Sequence, residues 1–303
     1  MSIRGVFSAA ATPLNADLTP DHAALAAHCK QLLEDGCHGI AMLGSTGEAN
    51  SFSLDERRDM LEAVVKAGVD PQNLLPGTGL CALPETIALT RHALSLGVTK
   101  VVMLPPFYYK GVSDQGLFDA YCQVIDAIAD DRLRIVLYHI PPISQIPLSH
   151  ELIARLCERY PTIIAGVKDS GGQLDHMVSL ARTFPQLSIL AGADPFLLPL
   201  MQQGGSGCIT ATSNLAARQL RTVFDKHSDA ASAVDVQAAQ ARIIALREAS
   251  NSFAQIPTIK AMVARRYNVP GWRRMRPPLV SLTDAQAGEL AAVLDRVDMD
   301  HRA

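Results

Sequence analysis

The sequence predicts an α/β chain folded as a (β/α)8 TIM barrel with a C-terminal helical domain, residues 1–228 forming the barrel and 229–303 the helices. Three observations predict it. Apolar runs of strand length alternate eight times with amphipathic helical stretches between Val6 and His227,. The runs are apolar at successive positions, as in parallel strands covered on both faces. From about Asp229 the strand signals stop and only helical patterns remain. A doubly wound open sheet is the competing architecture. It would carry a glycine-rich phosphate loop after its first strand, and Ala11-Thr12-Pro13-Leu14 is not one,.

Val6–Ala11 is the first strand, ended by Thr12-Pro13, and the helix from about Asp21 to Asp35 takes Thr19-Pro20 as cap and first-turn proline,. Gly36 ends that helix, and Gly39–Leu43 is the second strand. The glycine-bracketed loop Gly44-Ser45-Thr46-Gly47-Glu48 follows, and Ser53 with Glu56 forms a capping box for the next helix,. Leu74–Gly79 is a weaker third strand, with a helix to about Leu96 and Gly97 as its stop. Val101–Leu104 is the fourth strand, its exit loop Pro105-Pro106-Phe107-Tyr108-Tyr109-Lys110, with a helix from about Asp114 to Ala129. Leu133–His139 is the fifth strand, closed by Pro141-Pro142, and Ser149 caps a helix to about Tyr160. Ile163–Ser170 contains the sixth strand, Leu187–Ala191 the seventh and Gly207–Ala211 the eighth. Helices are expected over Leu174–Phe184, Phe196–Gln203 and about Leu215–His227. Val234–Glu248, Ile259–Tyr267 and a segment from Thr283 to about Val297 complete the helical domain.

Composition excludes several functional classes. The chain has 303 residues, 48% of them apolar and 19% charged, with net charge −3. That balance suits a soluble enzyme, and with no basic run or aromatic-interleaved arginine cluster there is no nucleic-acid partner to expect. Met1–Ala11 lacks the basic start and long apolar stretch of a signal peptide, and no apolar run reaches membrane-spanning length,. The six cysteines show no C-x-x-C spacing and read as buried thiols in a reducing cytoplasm,. Arg265, Arg266, Arg273, Arg274 and Arg276 read as a solvated or interface surface. Gly204-Gly205-Ser206-Gly207 precedes a strand, which places it at the stabilising end of a barrel rather than in a phosphate site.

The chemistry converges on Lys168. It stands where a buried strand runs out, and partial desolvation disfavours the ammonium form of such a lysine,. A neutral amine is a nucleophile towards carbonyls, which makes Lys168 a candidate Schiff-base former. A lysine at a strand end is more often a solvated residue of the sheet rim, yet of the seven lysines only Lys110 and Lys168 follow a strand. In a barrel the loops leaving the C-terminal strand ends form the active face. Gly44–Glu48, Tyr108, Tyr109, Tyr138, Lys168, Asp169, Ser170, Gly192 and Asp194 all fall there. Ser45 and Thr46 offer hydroxyls, and consecutive N–H groups between Gly44 and Gly47 can cradle a carboxylate. Tyr138 ends the strand next to the lysine strand, within reach for proton relay.

These motifs, in this order, resemble the dihydrodipicolinate synthase / N-acetylneuraminate lyase family. The likeness rests on Gly-Ser-Thr-Gly-Glu after the second strand, Pro-Pro-Phe-Tyr-Tyr after the fourth, Tyr-His-Ile-Pro after the fifth and Gly-Val-Lys-Asp-Ser on the sixth, and runs from Gly5 to about Thr283. It implies a homotetramer of tight dimers, or a homodimer, and a metal-free class I mechanism needing no cofactor, with Lys168 forming an imine with pyruvate or a related 2-oxo acid. By the same resemblance Ser45 and Thr46 hold the carboxylate and Tyr138 transfers protons. Tyr108 matches the tyrosine lent by a neighbouring subunit, and Gly192 and Ile209 match backbone contacts to the bound acid.

Departures from the family pattern bear on the substrate. Ile143 stands where dihydrodipicolinate synthases carry an arginine for the second substrate's carboxylate, and an isoleucine cannot make a bidentate contact. Pro195 and Ala211 replace the glutamate and serine with which neuraminate lyases hold a sugar tail. Asp194 and Ser170 remain to bind a smaller hydroxylated tail, and His139 replaces a frequent asparagine. The expected activity is aldol cleavage or condensation, or dehydration, of a 2-oxo sugar acid or hydroxy-oxo acid. The alternatives are dihydrodipicolinate synthase proper, then neuraminate lyase, and a barrel that binds a 2-oxo acid without turnover.

Overall fold

The computed structural model describes residues 3–300. Seven strands form one parallel sheet: β1 (Gly5–Ser8), β2 (Gly39–Ile40), β3 (Lys100–Met103), β4 (Arg134–His139), β5 (Ile164–Asp169), β6 (Ser188–Ala191) and β7 (Gly207–Thr210), in the order β2-β1-β7-β6-β5-β4-β3. The sheet curls, and an eighth segment fills the gap between its two edges. Leu75 N donates to Ile40 O at 2.8 Å and Gly77 N to Met42 O at 2.9 Å, while Val102 N donates to Pro76 O at 3.0 Å and Thr78 N to Val102 O at 3.1 Å. The expected third strand therefore closes the barrel without forming a continuous ladder. Pro76 has no N–H to give, and at Gly77 a Cβ would stand 2.2 Å from Leu43 O, so only glycine fits.

Strand periodicity separates two cores. Phe7, Ala41, Leu75, Val102, Val136, Tyr138, Leu190 and Ile209 fill the barrel interior, while their alternating neighbours Val6, Ile40, Val101, Ile135, Leu137 and Val167 pack outward against the helices,. The covering helices are α1 (His22–Glu34), α2 (Leu54–Lys66), α3 (Leu83–Ser95), α4 (Asp114–Ile128), the single turn α5 (Pro141–Ser144), α6 (His150–Arg159), α7 (Leu174–Thr183), α8 (Leu197–Met201) and α9 (Ser213–Lys226). Three helices follow: α10 (Ala233–Ser250), α11 (Gln255–Tyr267) and α12 (Asp284–Asp300). Among the described residues no helix is long and apolar enough to cross a membrane.

Several expectations shift. The first helix is capped by Asp21, whose side chain accepts from Ala24 N, and not by Thr19. Thr19 instead bonds to Asp17, with Pro20 in a bridge to Leu14. The second strand ends at Ile40, because Leu43 adopts a positive φ of 58° and turns the chain into the Gly44–Glu48 loop. Cys81 is exposed and Cys157 half-buried, whereas the other four thiols are buried as expected. Of the five arginines near the C-terminus, Arg266, Arg274 and Arg276 join the last helices to the barrel, as an interface surface would, while Arg265 and Arg274 remain exposed. Arg266 pairs with Asp35 and donates to Asn214 O, Arg274 donates to Leu14 O, and Arg276 forks onto Glu56 at 2.7 and 2.9 Å.

The deepest of these joints is Lys260 on α11, whose Nζ meets Glu48 Oε1 at 2.5 Å with both side chains fully buried. Burial pulls the Lys260 pKa below its ordinary value, against the opposing pull of Glu48. Removing one partner leaves the other charge buried and unpaired, which typically costs about 3–5 kcal/mol. Lys260→Met is therefore expected to lower the unfolding free energy by about that amount, and adding Glu48→Gln to recover part of it. Chemical denaturation of the two variants against wild type measures this.

The Glu56–Arg276 fork sets an acid limit. Hydrogen bonds from Arg276 hold the Glu56 carboxyl down to about 2, below its unfolded value. Its stabilisation is present above the unfolded pKa of about 4.3 and lost as pH falls towards 2. Because water reaches the pair, its worth is about 1 kcal/mol. Thermal unfolding between pH 5 and pH 2 is expected to fall less steeply for Arg276→Met than for wild type.

Candidate active site

Parallel pairing of β4 with β5 sets Tyr138 opposite Lys168 and His139 opposite Asp169. By the strand period of two, the first pair points into the barrel and the second towards the helices. Tyr138 and Lys168 are both buried, with Lys168 Nζ lying 4.1 Å from the centre of the Tyr138 ring. Burial pushes the phenol's pKa up. The Lys168 ammonium and hydrogen bonds from Ser45, Ser170 and Lys168 more than offset this, so its net position is below the ordinary value. An amine, a phenol and two hydroxyls thus share one spot.

A cavity of about 30 Å³ opens beside them, lined by Gly44, Ser45, Leu104, Tyr138 and Lys168 among others. That is room for about two water centres, so the enclosed part suits the carboxylate and carbonyl of a short acid, with any tail directed outward. Gly47 keeps the loop against the first strand's exit: its carbonyl accepts from Thr12 Oγ1 at 2.8 Å, and a Cβ would meet Ala10 O at 2.9 Å. Thr46 is half-buried on the same loop but does not line the cavity. Gly192 N donates to Asp169 O at 2.7 Å, and a Cβ there would overlap Ser170 Oγ at 2.0 Å. Glycine therefore lets the Ser170 hydroxyl approach Tyr138. Ile209 lies in the same interior cluster as Tyr138.

Besides Thr46, the expected site residues Gly47, Ser170, Gly192 and Ile209 do not line the cavity, and Asp194 and Tyr108 do not either. Asp194 is fully buried beside Thr212, which donates to its Oδ1, and its backbone carbonyl accepts from Gln240 Nε2 at 3.0 Å. Burial raises its pKa, and its Oδ2 has no hydrogen-bond partner. Tyr108 stands on the rim with 72% of its surface exposed, edge-on to the equally open Tyr109 at 5.3 Å.

Other features near the site were not legible in the sequence. Arg57, 3% exposed, lines the cavity, donates to Ala49 O and to Asn50 Oδ1 at 3.2 Å, and leaves its Nε unpaired. Burial holds its guanidinium down to about 10. In the sequence it is one more charge in the first turns of a helix. Behind the lysine strand, His176 Nδ1 lies 2.6 Å from Asp169 Oδ2, and His139 stacks on His176 at 4.6 Å. Asp169 Oδ1 also accepts from Gly171 N at 2.7 Å. Hydrogen bonding to Asp169 raises the His176 pKa, whereas burial lowers that of His139. His139, Asp169 and His176 lie close enough together to suggest a metal site. The His139 ring argues against it: its Nδ1 accepts from Leu148 N at 3.1 Å, so in the neutral ring Nε2 carries the proton and neither nitrogen has a free lone pair,.

Comparison with known proteins identifies the family. The model of the dihydrodipicolinate synthetase family matches residues 2–297. A DapA-like lyase of Chloroflexus aurantiacus is 35% identical over 295 residues, covering 97% of each chain. A 4-hydroxy-tetrahydrodipicolinate synthase of Agrobacterium fabrum is 31% identical over 282 residues, covering 92% of each. The crystal structure of dihydrodipicolinate synthase from Agrobacterium tumefaciens superposes with a TM-score of 0.89 at 29% identity, over 97% of this chain and 99% of the other. With Lys168 seated at the C-terminal end of a barrel strand and a match along nearly its whole length, the chain belongs to the dihydrodipicolinate synthetase family.

Proposed function

We propose that Lys168 forms an imine with pyruvate or a related short 2-oxo acid, and that the protein cleaves, condenses or dehydrates a 2-oxo sugar acid or hydroxy-oxo acid. The observation that carries this reading is the Lys168 amine set over the Tyr138 ring in a small pocket edged by Ser45. Family membership already places the protein among the Schiff-base lyases.

The residues divide the work as follows. Ser45, with the N–H groups of Gly44–Gly47, holds the acid's carboxylate, and Thr46 supports that loop. The Lys168 amine adds to the C2 carbonyl, and loss of water from the carbinolamine gives the iminium. In cleavage, a base takes the proton of the C4 hydroxyl, the C3–C4 bond breaks, and its electron pair moves through C2 to the nitrogen. An aldehyde leaves, the enamine takes a proton at C3, and water releases pyruvate and the free amine. Tyr138 moves the protons, helped by a pKa that burial raises but Lys168 and the surrounding hydrogen bonds bring down,. Gly192 and Ile209 shape the wall against the acid's carbon skeleton, and Ser170 meets the first hydroxyl of the tail. The chemistry runs on a covalent lysine imine and asks for no metal or other cofactor.

Ile143, 69% exposed at the rim, offers no charge to a second carboxylate. This favours a hydroxylated partner over the semialdehyde that a synthase condenses. The synthase reading is kept second by relatives such as the 31% identical protein of Agrobacterium fabrum. Tyr108, Tyr109 and Ile143 leave a large apolar area open on the active face, which a second copy of the chain would cover in a homodimer or homotetramer, with Tyr108 completing the neighbour's proton relay.

Lys168→Arg is expected to keep the fold and lower kcat by about three orders of magnitude or more, and Tyr138→Phe to lower it by about 10²–10⁴-fold. The assay runs pyruvate with a panel of hydroxyaldehydes and aspartate semialdehyde, and 2-oxo sugar acids in the cleavage direction. Turnover retained in Lys168→Arg would sink the proposal. Turnover confined to aspartate semialdehyde would select the synthase reading.

A further inference from the structure

The end of the barrel opposite Lys168 holds a second cavity, of about 410 Å³, at the N-terminal mouth of the strands. Arg4, Lys100, Arg132 and Arg134 line it, and among the described residues no carboxylate does. Lys100 and Arg134 are direct partners in the β3–β4 register. They share the interior face with Val102 and Val136 two residues further on,. Like charges directly opposite on neighbouring strands repel, and here no acid stands between them. Lys100 Nζ donates to Gln72 O, while Arg134 Nη1 donates to Asp131 O and Leu133 O, each at 2.7 Å. Backbone carbonyls thus fix both side chains in place without neutralising them. Among the described residues only Arg132 has an acid, forked onto Asp130 at 2.6 and 3.0 Å. Burial also lowers the Lys100 pKa, opposed by the charge of Asp70.

The N-terminal face of such a barrel ordinarily serves stability, and four cations of which only Arg132 is paired with an acid among the described residues work against it. A local cost of this kind marks a place where a ligand supplies the missing charge. We propose that this cavity binds a small, multiply charged oxyanion, either a phosphate compound or a di- or tricarboxylate. The fixed guanidinium of Arg134 supplies a planar fork and Lys100 a point charge, the two complementary ways of holding such oxygens. Gln72, Asn73 and Thr99 add uncharged polar groups at the wall. The site lies at the far end of the barrel from the Lys168 pocket and does not depend on its chemistry.

Thermal unfolding in inorganic pyrophosphate and in citrate, each against sodium chloride at equal ionic strength, tests the site. Wild type is expected to gain about 2–4 °C over chloride in at least one of them, and the larger gain distinguishes a phosphate from a carboxylate ligand. The Lys100→Gln/Arg134→Gln variant is expected to lose that gain and, without added anion, to melt no lower than wild type. If that variant fails to fold, Arg4→Gln/Arg132→Gln is expected to cut the gain by at least half. An equal gain in chloride, or an undiminished gain in the variant that folds, would overturn the site.

Discussion

The pairing of β4 with β5 is the constraint on which the rest depends. Tyr138 meets Lys168 because the two are register partners, and both point inward because their strands keep the same phase. A slip of one residue would exchange them for His139 and Asp169 and turn amine and phenol into the helix layer. The register shift between Ile135 and Val136 comes at the opposite end of the pair, so the alignment at the active face is continuous from Val136 to His139. Behind this pair, the Asp169–His176 contact and the stacked His139 ring fill the space under the strand ends. The hydrogen bond from Gly171 N to Asp169 then fixes the turn that carries Ser170.

A second constraint reaches the site from the far end of the chain. Glu48 closes the Gly44–Glu48 loop in a left-handed conformation, φ 56°. Its carboxylate is held by Lys260 and by the backbone N–H of Arg276 at 3.3 Å. The helices after the barrel therefore help hold the loop that carries Ser45 to the cavity. Asn214 makes a parallel connection: it bonds to Ala9 O, Ala11 N and Ala211 O, and to His28, whose other ring nitrogen meets the Tyr267 hydroxyl at 2.8 Å. Burial holds His28 down to about 4, so its ring is neutral in that network at ordinary pH.

What was legible in the sequence follows from what is local. Runs such as Ile135–Leu137, caps such as Ser53 with Glu56, and stops such as Gly36 and Gly97 declare themselves within a few residues, and all stand where expected. Lys168 was legible because a strand end fixes where its side chain goes. The first helix's cap, Asp21 in place of Thr19, was a local misreading; most of what was not legible depends on partners distant in the chain. Whether Arg276 is solvated depends on Glu56, 220 residues away, and the fate of Asp194 depends on Thr212 and Gln240. Arg57 is buried by the curl of the loop before it, which no pattern in its own helix reveals. The third strand was half legible, since Pro76 and Gly77 weaken its pattern for the same reason that they break its ladder.

The central claim is that the Lys168 amine is the nucleophile. Incubation with pyruvate and borohydride, followed by intact mass and peptide mapping, tests it most directly. Reduction of the imine predicts one added pyruvate-derived group per chain, on the peptide containing Lys168 and absent from Lys168→Arg. An adduct on another lysine, or an equal adduct in the variant, would contradict it.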